Sequence, residues 1–170
     1  MAGAAITAPF IIAEPDDIVG AAPIKSAEVI NNGDLVHVDT NGQVIAASKT
    51  QSAVVKASYI AYFDDEHGMA TSRTGVAGLT VKTALAKKAK IKNCNSTLVP
   101  ALDNGLPVFL GPVPTSTVSN YTCTRSTTAG DKIQQVGFVD ADGTTLHIDL
   151  TNTFTEALYQ AAATTTIVLG

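Results

Sequence analysis

Two tripeptides, His37-Val38-Asp39 and His147-Ile148-Asp149, carry the residue types best suited to chemistry. In a strand, residues i and i+2 point the same way, so each His would share a face with its Asp. Were the two strands neighbours, two imidazoles and two carboxylates would meet, a set that suits a divalent metal. The plainer reading, which is preferred, is the polar outer face of two amphipathic strands. Asp64-Asp65-Glu66-His67 also offers cation ligands, in a stretch that otherwise reads as a solvated acidic loop. Nucleophilic catalysis finds no support: there is no GxSxG elbow, and the glycines form neither GxGxxG nor a P-loop. Cys94 and Cys123 lack CxxC spacing and a nearby His. They read as two free, partly buried thiols, with a disulfide as the alternative. Lys87-Lys88-Ala89-Lys90 would meet an acidic partner or simply stay solvated. The expectation is therefore no enzyme, no cofactor and no metal.

The elements that would position these residues are strands. Lys132 to Val139 and Thr144 to Leu150 read as a β-hairpin turning at Asp140-Ala141-Asp142-Gly143, because Gly accepts the positive φ of a tight turn. On the return strand Leu146, Ile148 and Leu150 share one face, and Thr145, His147 and Asp149 the other. The same grammar recurs in Gly33-Asp34 through Asp39-Thr40-Asn41-Gly42, and in Asp103-Asn104-Gly105 before Leu106 to Leu110. Ala53 to Phe63 is apolar and β-prone. Thr80 to Lys90 is read as a helix, with a strand followed by a basic loop as the alternative; Phe154 to Ala163 is a second short helix candidate. Asn95-Ser96-Thr97 and Asn120-Tyr121-Thr122 match the glycosylation sequon but read as ordinary loop sequence.

These elements predict a mainly β fold: a small antiparallel β-barrel or sandwich with at most one or two short helices and extended N- and C-terminal arms. The body spans 24–150, between an N-terminal arm of 1–23 and a C-terminal arm of 151–170. Phe10, Ile11 and Ile12 form a short apolar patch between Pro9 and Pro15. It is expected to dock either on a partner chain or on its own body. Phe10, Ile11 and Ile12, with Phe154 and Leu158 of the second arm, are the candidate partner-binding residues.

The totals narrow the function classes. The 170 residues suffice for one core without disulfides or metals. Charged residues make up 15%, against about 25% in an average domain, and the net charge is −4. That balance argues against a nucleic-acid partner held through phosphates. No apolar run approaches the ~20 residues of a membrane-spanning helix, and the N-terminus lacks the basic region of a signal peptide.

Taken together, Gly33-Asp34-Leu35-Val36, Gly42-Gln43-Val44, Asp103-Asn104-Gly105-Leu106-Pro107-Val108 and the closing Val136-Gly137-Phe138-Val139 to Leu146-His147-Ile148-Asp149-Leu150 hairpin resemble the small decoration, or cement, proteins of tailed-phage capsids. The likeness covers about residues 30–150 and is one of motif order. It implies a homotrimer on the outer surface of the virion, present in the host cytoplasm during assembly, that bridges subunits of the major capsid protein and has no catalytic residues. The long C-terminal arm and the Lys-bearing segment around 80–92 depart from that pattern. The competing readings are a fibre or tail-associated domain that recognises a host surface, and a small β-barrel enzyme. Four Tyr and no Trp make a sugar-binding platform a poor fit.

Overall fold

The structure is a computed structural model that describes residues 7–50, 55–63, 68–69, 71–115 and 118–151, and the backbone of 156–158. The chain is built from strands β1 (Phe10–Ile12), β2 (Ile18–Pro23), β3 (Val29–Asn31), β4 (Leu35–Val38), β5 (Val44–Ala46), β6 (Tyr59–Tyr62), β7 (Ser72–Thr74), β8 (Lys82–Ala86), β9 (Lys88–Lys92), β10 (Pro107–Leu110), β11 (Tyr121–Thr122), β12 (Lys132–Val139), β13 (Leu146–Asp149) and β14 (Glu156–Leu158), with one 3₁₀ turn at Pro15–Asp17. The mainly β expectation holds.

Five strands form one sheet in the order β2-β8-β6-β4-β5. This sheet curls until its edges meet, where Ile24, just past β2, bridges Val44 of β5. A larger sheet runs β1-β9-β13-β12-β10-β11, with β14 also pairing β12, and β3 pairs β7 separately. Period-two alternation sends successive residues of the curled sheet to different cores. Val36, Val44, Ala46, Ala61 and Leu85 point inside the curl with Ile24 and Ile30. Leu35, Ile60, Tyr62 and Ala86 point outward and pack against Ile11, Ile91, Val108, Leu110, Leu146 and Ile148 of the larger sheet. Burial on both faces explains why these strands read as continuous apolar runs rather than alternating ones.

One expectation is corrected, and of two stated alternatives for the N-terminal patch one is found. Thr80 to Lys90 is not helical: it is β8 and β9, which belong to different sheets and meet at Lys87. Ala and Lys favour helix locally, but Lys88-Ala89-Lys90-Ile91-Lys92 alternates strictly, with Ala89 and Ile91 buried and the three lysines exposed. The segment containing Phe10, Ile11 and Ile12 lies on its own body. β1 pairs β9 and β2 pairs β8, so the N-terminal stretch is one side of a bent antiparallel ribbon that crosses both sheets. The second helix candidate, Phe154 to Ala163, falls mostly outside the described residues; within it Glu156–Leu158 is a strand paired with Lys132–Gln134.

The seam between the sheets is polar where backbone groups would otherwise go unpaired. Asn120 is fully buried; its carboxamide accepts the Leu35 N–H (2.8 Å) and donates to the Leu35 and Ala47 carbonyls (2.6 and 3.0 Å). Gln134, also fully buried, exchanges the same kind of pair with Ala57 (2.9 and 2.8 Å). The Tyr121 hydroxyl donates to the Gly33 carbonyl. Each side chain stands in for the neighbouring strand that the backbone lacks at that point.

Candidate partner-binding face

The hairpin β12–β13 forms as expected, with Gly143 at φ +68° in the turn. The Asp142 carboxylate accepts the Thr144 and Thr145 N–H groups and the Thr145 hydroxyl, and the Thr145 bond foremost holds it down to about 2. In the β4–β5 hairpin Asp39 does the same for Asn41 and Gln43, and the Gln43 N–H foremost holds its carboxyl below the usual range. These acids are engaged in closing turns.

The metal arrangement does not assemble. His37 lies in the curled sheet and His147 in the larger one, so the two His-x-Asp pairs are not neighbours. His37 Nδ1 bonds the Ser58 hydroxyl at 2.9 Å. Among the described residues no group of three His, Cys, Asp or Glu side chains could hold a metal ion. Asp64 to His67 lie outside the described residues. Cys94 and Cys123 are both free and buried, and burial pushes the Cys94 thiol up to about 12. The two sequons are structural: Asn120 is the seam residue above, and the Asn95 side chain caps the Thr97 and Leu98 N–H groups.

What the larger sheet does assemble is a row on its outer face. Ile12, Lys90, His147, Phe138 and Pro107 are register partners across five adjacent strands, β1, β9, β13, β12 and β10. The Phe138 and His147 rings stack face to face, with centroids 4.8 Å apart and planes within 2°. His147 Nε2 lies 3.0 Å from Asp140 Oδ2, and this bond foremost holds the Asp140 carboxyl below its usual range. Phe138 is 48% exposed and Ile12 37%, both large values for such side chains. Lys88 and Asp149, opposite each other, close the row on one side at 3.8 Å. Together with Glu14 they border a groove of about 260 Å³ floored by Ala89 and Ile148.

Among the expected partner-binding residues whose side chains are described, Ile12 lines this groove. Ile11 points the other way and is fully buried in the chain's own core, so it is not available to a partner; Phe10 is half-buried beside it. Phe154 lies outside the described residues, and Leu158 is in β14, where its backbone pairs with Lys132. Phe138 was legible in principle but overlooked. If His147 faces outward, its partner across the hairpin must face outward too, and that partner is aromatic. Comparison of the chain with protein-family models, with curated proteins and with solved structures gives no match.

Proposed function

We propose that this chain is a structural virion protein that binds the outside of a phage capsid, as a homotrimer, and stabilises it by bridging major capsid protein subunits without catalysing a reaction. The observation that carries the reading is the exposed Ile12–Lys90–His147–Phe138 row on a sheet braced from behind by a full core. An aromatic side chain held rigid by stacking is the kind of anchor on which binding energy concentrates, because little conformational freedom is lost when it is covered. A protein that binds the assembled shell and not its loose subunits stabilises the shell by mass action. The motif order of the hairpins supports the same class.

The groove also favours a second reading. An exposed Phe beside an aliphatic side chain is equally suited to a fibre or tail-associated domain that grips a host surface. The two readings separate by what the protein sediments with. Empty shells should pull down the wild-type trimer, while Phe138→Glu stays in the supernatant with an unchanged melting curve. Wild-type protein that ignores shells, or a variant that pellets equally well, would refute the proposal; pelleting with host envelopes instead would select the second reading. A broad hydrolase screen with turnover that disappears in His147→Ala would overturn the non-catalytic assignment.

A further inference from the structure

Asp34 is 1% exposed, and its two carboxylate oxygens have different surroundings. Oδ2 accepts the Asn31 N–H (2.8 Å) and the Asn31 side-chain amide (3.0 Å). Oδ1 is fully buried and, among the described residues, has no hydrogen-bond partner. A buried carboxylate oxygen left without a donor is costly. Beside Asp34 is a recess of about 10 Å³ whose polar lining is Asn31, Thr115 and Ser119. That is about the space one water molecule needs. The Ser119 hydroxyl donates to the Leu98 carbonyl at 3.1 Å, which leaves its oxygen lone pairs able to accept.

The position in the fold gives this recess its consequence. Asp34 is the middle residue of the tripeptide on which the two sheets are fastened. The Gly33 carbonyl takes the Tyr121 hydroxyl, and both backbone groups of Leu35 take Asn120. We propose that the recess is a single-water site whose occupant bridges Asp34 Oδ1 to Ser119 Oγ, and that this water makes Asp34 a proton-operated latch on the seam between the sheets. With the carboxyl neutral, its O–H donates to the water and the water donates to Ser119. When the proton leaves, the water turns to donate to Oδ1, and a full negative charge sits in the seam.

Among the described residues that line the recess, none is a cation. Asn31 of β3, Thr115 and Ser119 are neutral, Val118, Leu98 and Met69 are apolar, and the titratable group that feels the Asp34 charge is the buried Tyr121 phenol, which burial foremost and then Asp34 push up. Burial, the largest influence, accordingly raises the Asp34 carboxyl from 3.8 to about 7, against the two Asn31 bonds. The folded value lies above the unfolded one. The stabilisation is therefore complete below about pH 4 and is lost as pH rises through about 7.

Denaturant unfolding of wild type and Asp34→Asn at pH 5 and pH 8 tests the latch. The unfolding constant of the wild type should rise roughly a hundredfold more over that interval than that of the variant. The wild type alone carries a second measurement: the Asp34 carboxyl carbon, followed by NMR, should titrate near neutrality. In Ser119→Val, which fills the recess and removes the bridging hydroxyl, that titration should move upward, because the carboxylate loses its donor. The latch is overturned if Asp34→Asn keeps the wild-type pH dependence, or if the carbon titrates in the ordinary carboxylate range should that variant not fold. An unmoved titration in folded Ser119→Val overturns the water site.

Discussion

Ile11 and Ile12 are adjacent, identical in composition and opposite in fate. Ile11 is fully buried opposite Ile91, whereas Ile12 is 37% exposed on the outer row. Truncating Ile11 to Ala removes three buried carbons and leaves a cavity that β1, pinned to β9, can only partly collapse. Substitutions of this kind cost 2–5 kcal/mol, and about 3 kcal/mol is expected here because β1 is an outer strand able to shift somewhat. Against a total stability of about 5–15 kcal/mol that is a large fraction. With a urea slope of about 2 kcal/mol/M, the midpoint should fall by about 1.5 M. Ile12→Ala should move it by no more than about 0.5 M, since the side chain already meets water. Equilibrium urea unfolding of both variants is the assay. Equal shifts would refute the assignment of the N-terminal stretch to the chain's own core and would restore it as a docking arm. The same reasoning says that deleting residues 1–20 removes β1 and part of β2, and costs the fold rather than attachment alone.

Two further outcomes follow from buried groups. Asn120→Ala should destabilise by about 2–5 kcal/mol in the same assay, because it strands the Leu35 N–H and the Ala47 carbonyl at the seam, while the Leu35 carbonyl keeps the Ala47 N–H; a loss under about 1 kcal/mol would show that the seam does not depend on these bonds. Cys94 should resist a thiol-specific disulfide reagent at pH 8 until the protein unfolds, since burial keeps its thiol protonated; rapid modification of two thiols in the native protein would contradict the buried placement.

Local pattern reached far in this chain. The Asp140–Gly143 and Asp39–Gly42 turns and the facing of Leu146 and Ile148 were legible, because turn chemistry and period two act over a few residues. Thr80 to Lys90 was not: Ala-Lys composition favours helix, and only the distant partners Ile11, Leu146 and Ile148 decide that Ala89 and Ile91 line a strand. Phe10 to Ile12 looked like an arm because its pairing strand lies far along the chain. Asn120 sat inside a sequon-like stretch, and nothing local distinguishes an exposed Asn from one that replaces a missing strand. On the candidate face, the preferred reading of His147 as part of a polar outer face holds, but its stacking partner adds to it. Its worth lies in the Phe138 ring it stacks on, which the register set by the Asp140–Gly143 turn places opposite it.

The bent ribbon also orders events in time. Phe10 pairs with Lys92 and Pro23 with Lys82, so the first strands of the chain close the longest loops in the ribbon. Loop closure must be met before such contacts repay it, and folds dominated by distant pairings form slowly. A nascent chain therefore carries Phe10, Ile11 and Ile12 without their pairing strand until β9 has emerged, while β4 and β5 can already form their hairpin. Synthesis rate and temporary shielding of this apolar stretch thus become determinants of yield, set by the topology and not by the stability of the finished protein.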